Sequence, residues 1–424
     1  MNKRLFKPRP TTRLERGLMA GMVVLWPLEN NFLIGGYSLT FILFGILTLF
    51  ALIRHPSTLV RTLTHPVFLI AFLFVLGGFI AETFHLNSDH EVIDRTMKTF
   101  LGGAVLASYC RDMKAMRAVL YSFLIMGIGV GLYLILSVFG VLSAATATDI
   151  STASMVRYDV FEDRYLLRNL NAMAHLVGLG AAVALLMWAT AQKRTHRIWL
   201  MTVFLICLTA VFLPMSRSGI FMIAVLCALI LFLRGLFRLR TLVLGLATAL
   251  VILLVVPDVV FYRMSFAVES NVTPVAQSDA RASVLLASLE AISEEPLLGI
   301  GAGNFWGEWG VWSSFYAASS GKIVGSHNAY AQIIIYWGVM LALIWGLLFW
   351  VIYRRLPQPF GDNRVSLFLF TLFVWVFLVS MFTHTIYSKV YALAFGVIVG
   401  FDRWIRPTID WKSLRTNAAR QRVR

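Results

Sequence analysis

The chain has 424 residues, 59% of them hydrophobic and 14% charged, with a mean hydropathy of +0.77 and a formal net charge of +16. Soluble domains carry about 25% charged residues, so this composition excludes a chain folded in water alone. A nucleic-acid binder gathers its Lys and Arg on one folded face; here they punctuate apolar runs, so no nucleic-acid partner is expected and the surrounding solvent is read as membrane lipid.

The basic N-terminus leads into the apolar stretch Gly17 to Leu28, and no small-residue cleavage site follows, so this stretch is read as a spanning helix. Crossing the hydrocarbon layer takes about 20 mostly apolar residues whose backbone groups are satisfied internally. About twelve segments qualify. They run Leu14 to Leu28, Tyr37 to Ile53, Val67 to His85, Val92 to Cys110, Ala115 to Leu142, Leu170 to Ala191, Ile198 to Leu213, Ser218 to Leu233, Leu239 to Val256, Ser326 to Tyr353, Val365 to Phe382 and Val390 to Ile405. The expected fold is an all-α polytopic membrane protein forming a single domain over 1–424.

Most of the 37 Lys and Arg fall into alternate short connections and the two tails, including Arg54 and Arg61, Arg111 to Arg117, Lys193 to Arg197, Arg234 to Arg240, and Arg354 to Arg364. The positive-inside rule makes those segments and both termini cytoplasmic. The opposite face then receives Arg217, Arg281, Lys322, Lys389 and the two longest loops, Ser143 to Asn169 and Asp258 to Gly325. The second loop, between the ninth and tenth helices, holds an apolar stripe of Val284 or Leu285, Leu289 and Ile292, read as an amphipathic surface helix. Pro296 ends it, and Gly299-Ile300-Gly301-Ala302-Gly303 follows as a tight irregular turn. Cys110, Cys207 and Cys227 all lie in apolar runs, so no disulfide framework is read.

The few outer-face charges are the candidates for chemistry. Arg217 lies in Ser216-Arg217-Ser218-Gly219 at the start of the eighth helix, where free amides and the positive dipole end favour an anion; an arginine snorkelling to the interface fits the same position. Arg281 opens the surface helix, where a cation opposes the dipole, so an anion or a salt bridge to Asp279 or Glu269 is needed to account for it. For Ser326-His327-Asn328 the expectation is Ser326 as cap of the tenth helix with His327 in its first turn, uncharged there and able to act as a base, or else bonded to headgroups. Arg95 and Lys98 share a face of the fourth helix and are expected to line a polar site. His384 and Lys389 flank the last outer turn and suit interfacial anchoring or anion contact. Gly299-Ile300-Gly301-Ala302-Gly303 imitates a dinucleotide fingerprint but lacks the strand before it and the helix after it. No Walker motif, zinc spacing or acidic metal cluster is present in the outer loops, so neither metal nor cofactor is expected.

The order Ser216-Arg217-Ser218-Gly219, then Arg281 with Pro296-Leu-Leu-Gly299-Ile-Gly301-Ala-Gly303-Asn304-Phe305, then Ser326-His327-Asn328 resembles the superfamily of bacterial O-antigen ligases, O-antigen polymerases and O-linked oligosaccharyltransferases. The resemblance covers about Pro214 to Trp337 directly. It implies a GT-C-like glycosyltransferase of the bacterial inner membrane with its active site, including loop 258–325, facing the periplasm. The donor it implies is an undecaprenyl-diphosphate-linked glycan. Roles come with it for Arg217 and Arg281 on the diphosphate and His327 as base, and Arg95, Lys98, Lys322, His384 and Lys389 remain as acceptor or phosphate contacts. Only a short basic tail follows the twelfth helix, which weakens the protein-directed transferase, and the spare cations Arg95, Lys98, Lys322 and Lys389, suited to core phosphates, favour a ligase acting on lipid A core oligosaccharide over a polymerase. A lipid-linked sugar transporter is the alternative of another class; it predicts charges at mid-membrane, whereas these gather at the outer ends.

Overall fold

The computed structural model describes residues 9–28, 33–34, 37–85, 89–138, 170–214, 216–235, 289, 293–306, 328–357, 364–383 and 386–408. Those residues form α1 (Arg13–Leu25), a two-residue antiparallel pair β1 (Leu33–Ile34) and β2 (Tyr37–Ser38), α2 (Leu39–Arg54), α3 (Pro56–Leu63), α4 (Pro66–Thr83), α5 (His90–Tyr109) and α6 (Met113–Val138). There follow α7 (Leu170–Thr190), α8 (Arg194–Phe212), α9 (Arg217–Leu233), the short α10 (Ala302–Trp306), α11 (Ala329–Arg355), α12 (Arg364–Phe382) and α13 (Lys389–Gly400), which runs on through a π-turn, Phe401–Ile405.

Every predicted spanning segment carries a helix except the ninth, Leu239 to Val256, which lies outside the described residues, as does loop Ser143 to Asn169. Among the described residues six helices are long and apolar enough to cross a membrane: α4, α6, α7, α8, α11 and α12. A seventh is reached if α2 and α3, bent by 107°, count as one span. Among the described residues, which leave out the ninth segment, the expected count of about twelve is therefore not reached on length and hydropathy. The shortfall has local causes: α1, α9 and α13 are short, and the first half of α5 carries Glu91, Asp94, Arg95 and Lys98. Helix α3 was not anticipated from the sequence; Pro56 and Pro66 each occupy the first turn of a helix, where a missing N–H costs nothing, and so divide the connection in two.

Helix α7 is the centre of the bundle, packed by α6, α8, α9 and α12. Its contact with α6 is close because Gly127 faces Gly180: a Cβ on either would come within about 2.6 Å of the other's Cα. Small residues let helix backbones approach where lipid supplies no hydrophobic drive between helices. A second layer pairs α5 with α13 and α4 with α11. The outer faces of α4 and α11 leave Phe72, Leu76, Phe79, Leu343 and Trp350 exposed, as a lipid-facing surface requires.

Polar contacts between connections sort by predicted side. At one end Glu15 Oε1 meets His55 Nε2 at 2.8 Å and Glu15 Oε2 accepts from Arg111 at 3.2 Å, with both Glu15 and Arg111 side chains almost fully buried. Asp112 accepts from the Thr11 amide and hydroxyl and from the Lys114 and Ala115 amides. Burial pushes the Asp112 carboxyl up, but these hydrogen bonds outweigh it and hold the group below its ordinary range. Asp402 gathers His65, Arg355 and Arg406 at 3.1, 2.9 and 2.9 Å, and Arg364 donates to the Thr190 carbonyl. Each of these residues stands at the end of a helix that charge alternation assigns to one common face. At the opposite end Glu82, Thr99, Ala302, Trp337 and Tyr387 make the contacts.

Candidate functional site

Two constructions at that second end bear on chemistry. The first is the start of α9. Ser216 is its N-cap and its Oγ accepts from the Gly219 amide at 3.3 Å, which satisfies one of the free N–H groups of the first turn. Ser218 Oγ lies 3.1 Å from Ser216 Oγ and 2.9 Å from His175 Nε2, which projects from α7. Ser216, Ser218 and His175 are buried, whereas Arg217 between the two serines is exposed. Backbone contact fixes the turn further: a Cβ on Gly219 would collide with the Ala174 Cβ at 2.5 Å, and Trp375 Nε1 of α12 donates to the His175 carbonyl at 3.1 Å. Arg217 stands in the first turn of this helix, where the sequence placed the helix start, and the structure adds Ser216 as the cap. An anion at this position meets both the guanidinium fork and the backbone amides not taken by Ser216.

The second construction explains the glycine-rich run. Helix α11 is broken at Gly338, where φ is +75°. The carbonyls of Ile335 and Tyr336 accept from the amides of Ile300 and Gly301 at 2.8 and 2.9 Å, and the Val339 amide donates to the Pro296 carbonyl at 2.9 Å. The segment 296–301 thus fills the break and satisfies groups that lipid cannot. The fit needs glycine on both sides. A Cβ on Gly299 would lie 2.6 Å from the Ile335 carbonyl oxygen and the Gly338 amide nitrogen, and one on Gly338 would strike the Leu297 carbonyl. Glu82, fully buried at the end of α4, holds the assembly: its Oε1 accepts from the Ala302 amide at 2.6 Å and from Trp337 Nε1 at 2.9 Å, and its Oε2 from the Asp89 amide at 3.1 Å. The glycines serve backbone packing, in keeping with the missing strand that argued against a nucleotide fingerprint.

Two expectations are corrected. The cap of α11 is Asn328, whose side chain accepts from the Tyr330 and Ala331 amides; the helix begins at Ala329, so its cap is not Ser326, and its first turn does not include position 327. Asn and Ser cap about equally well, and the backbone course selects the later one. Among the described residues Arg95 and Lys98 do not converge on a polar cavity: each is paired four residues back, with Glu91 and Asp94, and all four side chains are substantially exposed. Arg95 also lies over the Tyr387 ring, 5.4 Å from its centroid. Lys389 is exposed in the first turn of α13, behind the cap Ser388. Arg281, Lys322, His327 and His384 lie outside the described residues.

His175, Glu82, Trp375 and Gly338 were missed in the sequence. The first two carried a signal, a titratable side chain inside an apolar run, which by default marks a polar site. Residues 202–346 match the family model described as O-antigen ligase. Among curated proteins the chain has no match.

Proposed function

We propose, from the match of residues 202–346 to the O-antigen ligase family model, that the chain belongs to that family and transfers a glycan from undecaprenyl diphosphate to lipid A core oligosaccharide at the periplasmic face of the bacterial inner membrane, both termini being cytoplasmic. The observation that carries this reading is that the matched segment contains Arg217, Arg281 and His327 in the expected order, with Arg217 exposed at the capped start of α9. His327 takes the proton of the acceptor hydroxyl as its oxygen attacks the anomeric carbon, and the bond from that carbon to the diphosphate oxygen breaks. Arg217 and Arg281 neutralise the departing undecaprenyl diphosphate, a task that elsewhere falls to a divalent cation. Single displacement inverts the anomeric centre, and scission of the sugar–diphosphate bond drives the transfer without metal or nucleotide. Phosphates of the acceptor meet Lys322, His384 and Lys389, with Arg95 and Lys98 joining only by exchanging their local carboxylates.

The test is transfer by the purified protein in nanodiscs, supplied with the lipid-linked glycan and lipid A core. His327→Ala is expected to lower the rate by about 10² to 10⁴, the usual contribution of a positioned base, and Arg217→Ala and Arg281→Ala to abolish detectable transfer with the protein still folded. Full activity in any of the three rejects the assigned roles. Glycan growing on undecaprenyl diphosphate in place of the core identifies a polymerase, and transfer to protein an O-linked oligosaccharyltransferase. Movement of intact lipid-linked glycan with no transfer identifies a transporter.

A further inference from the structure

We infer that His175 is a positioning residue for the turn that carries Arg217, setting through Ser218 the direction in which the α9 N-terminus presents its donors. The inference rests on the diphosphate role proposed for Arg217. His175 is 3% exposed, in a helix whose neighbouring buried residues are Ala174, Leu176, Val177 and Leu179. A polar ring there is costly to bury, and an apolar side chain of similar volume fills the same space without that cost. Packing therefore does not account for a histidine.

The hydrogen bonds do. Among the described residues His175 Nδ1 is buried with no partner, while Nε2 is 2.9 Å from Ser218 Oγ. An orphaned buried N–H is costlier than an orphaned acceptor, so the ring proton belongs on Nε2 and is donated to Ser218. Ser218, 3.1 Å from Ser216, then donates to Ser216, the cap that accepts from Gly219. The chain runs in one sense, from the helix α7 interior to the cap of α9, and pins the residues on both sides of Arg217. With Trp375 holding the His175 carbonyl and Ala174 against Gly219, the turn is tied to two helices, and Arg217 is the one member of Ser216–Gly219 left exposed.

The experiment measures binding of undecaprenyl diphosphate to the full chain in nanodiscs together with its thermal unfolding. His175→Phe is expected to weaken binding about 10- to 100-fold, the scale of a small misplacement of a binding group, while the unfolding temperature holds or rises. His175→Gln, whose amide can still donate to Ser218, restores most of the affinity. Added to Arg217→Ala, His175→Phe causes no further loss, because both act on one interaction. If His175→Phe binds within about twofold of the parent while Arg217→Ala has lost binding, the positioning role falls and the site reading stands. If Arg217→Ala itself keeps full affinity, both fall. A loss in His175→Phe that tracks a lowered unfolding temperature and is not rescued by His175→Gln assigns the residue to packing and overturns the inference.

Discussion

Glu15 shows what one buried carboxylate does in this protein. It closes the capping box of α1 with Thr12 and also pairs with His55 and Arg111, whose side chain is 0% exposed and whose Nε and Nη1 have no hydrogen-bond partner among the described residues. Removing one member of a buried ion pair leaves the other charge uncompensated, at about 3–5 kcal/mol. Glu15→Ala is therefore expected to destabilise the protein by about that amount, read as a fall in unfolding temperature in detergent. Unchanged stability would show that solvent reaches Arg111. Glu82 occupies the same position at the other end of the bundle, where its partners are amide and indole N–H groups rather than a cation.

Among elements, the break in α11 separates glycines that shape the fold from glycines that merely occupy a helix. Gly338→Ala puts a Cβ against the Leu297 carbonyl on a backbone with positive φ, so it is expected to expel segment 296–301 and to cost about 1–3 kcal/mol in strain alone. Gly129→Ala in α6 and Gly346→Ala in α11 meet nothing within 4 Å and are expected to be neutral or to stabilise by about 0.5–1 kcal/mol, as alanine is the better helix former. Parallel thermal unfolding of the three variants checks the contrast; equal effects would mean the break is not filled as described. The glycine run was readable as a turn, but its partner was not, because Gly338 sits inside an apolar run that reads as one continuous span.

For the whole molecule the prediction concerns sidedness. Arg61→Cys in α3 and Lys98→Cys in α5 place exposed thiols on opposite predicted faces, while Cys110, Cys207 and Cys227 are at least partly buried. A maleimide that crosses the outer but not the inner membrane is expected to label Lys98→Cys in intact cells and Arg61→Cys only after lysis. Labelling of both in intact cells contradicts the alternation.

The sequence by itself determined the apolar, helical character of the chain and the positions of most described helices, and it set the expected alternation of faces. These follow from composition, from the length an apolar run needs to cross hydrocarbon and from where Lys and Arg fall, all properties local to a segment. The helix start at Ser216-Arg217-Ser218-Gly219 was local too, although its cap was not named from the sequence. What only the tertiary structure decided was partnership: that His175 reaches Ser218, that Glu82 receives three N–H groups, that residues 296–301 complete α11, and that Asn328 rather than Ser326 caps it. A buried polar group must find a partner, but which partner depends on helices far apart in the chain, and no period or spacing in the sequence records it.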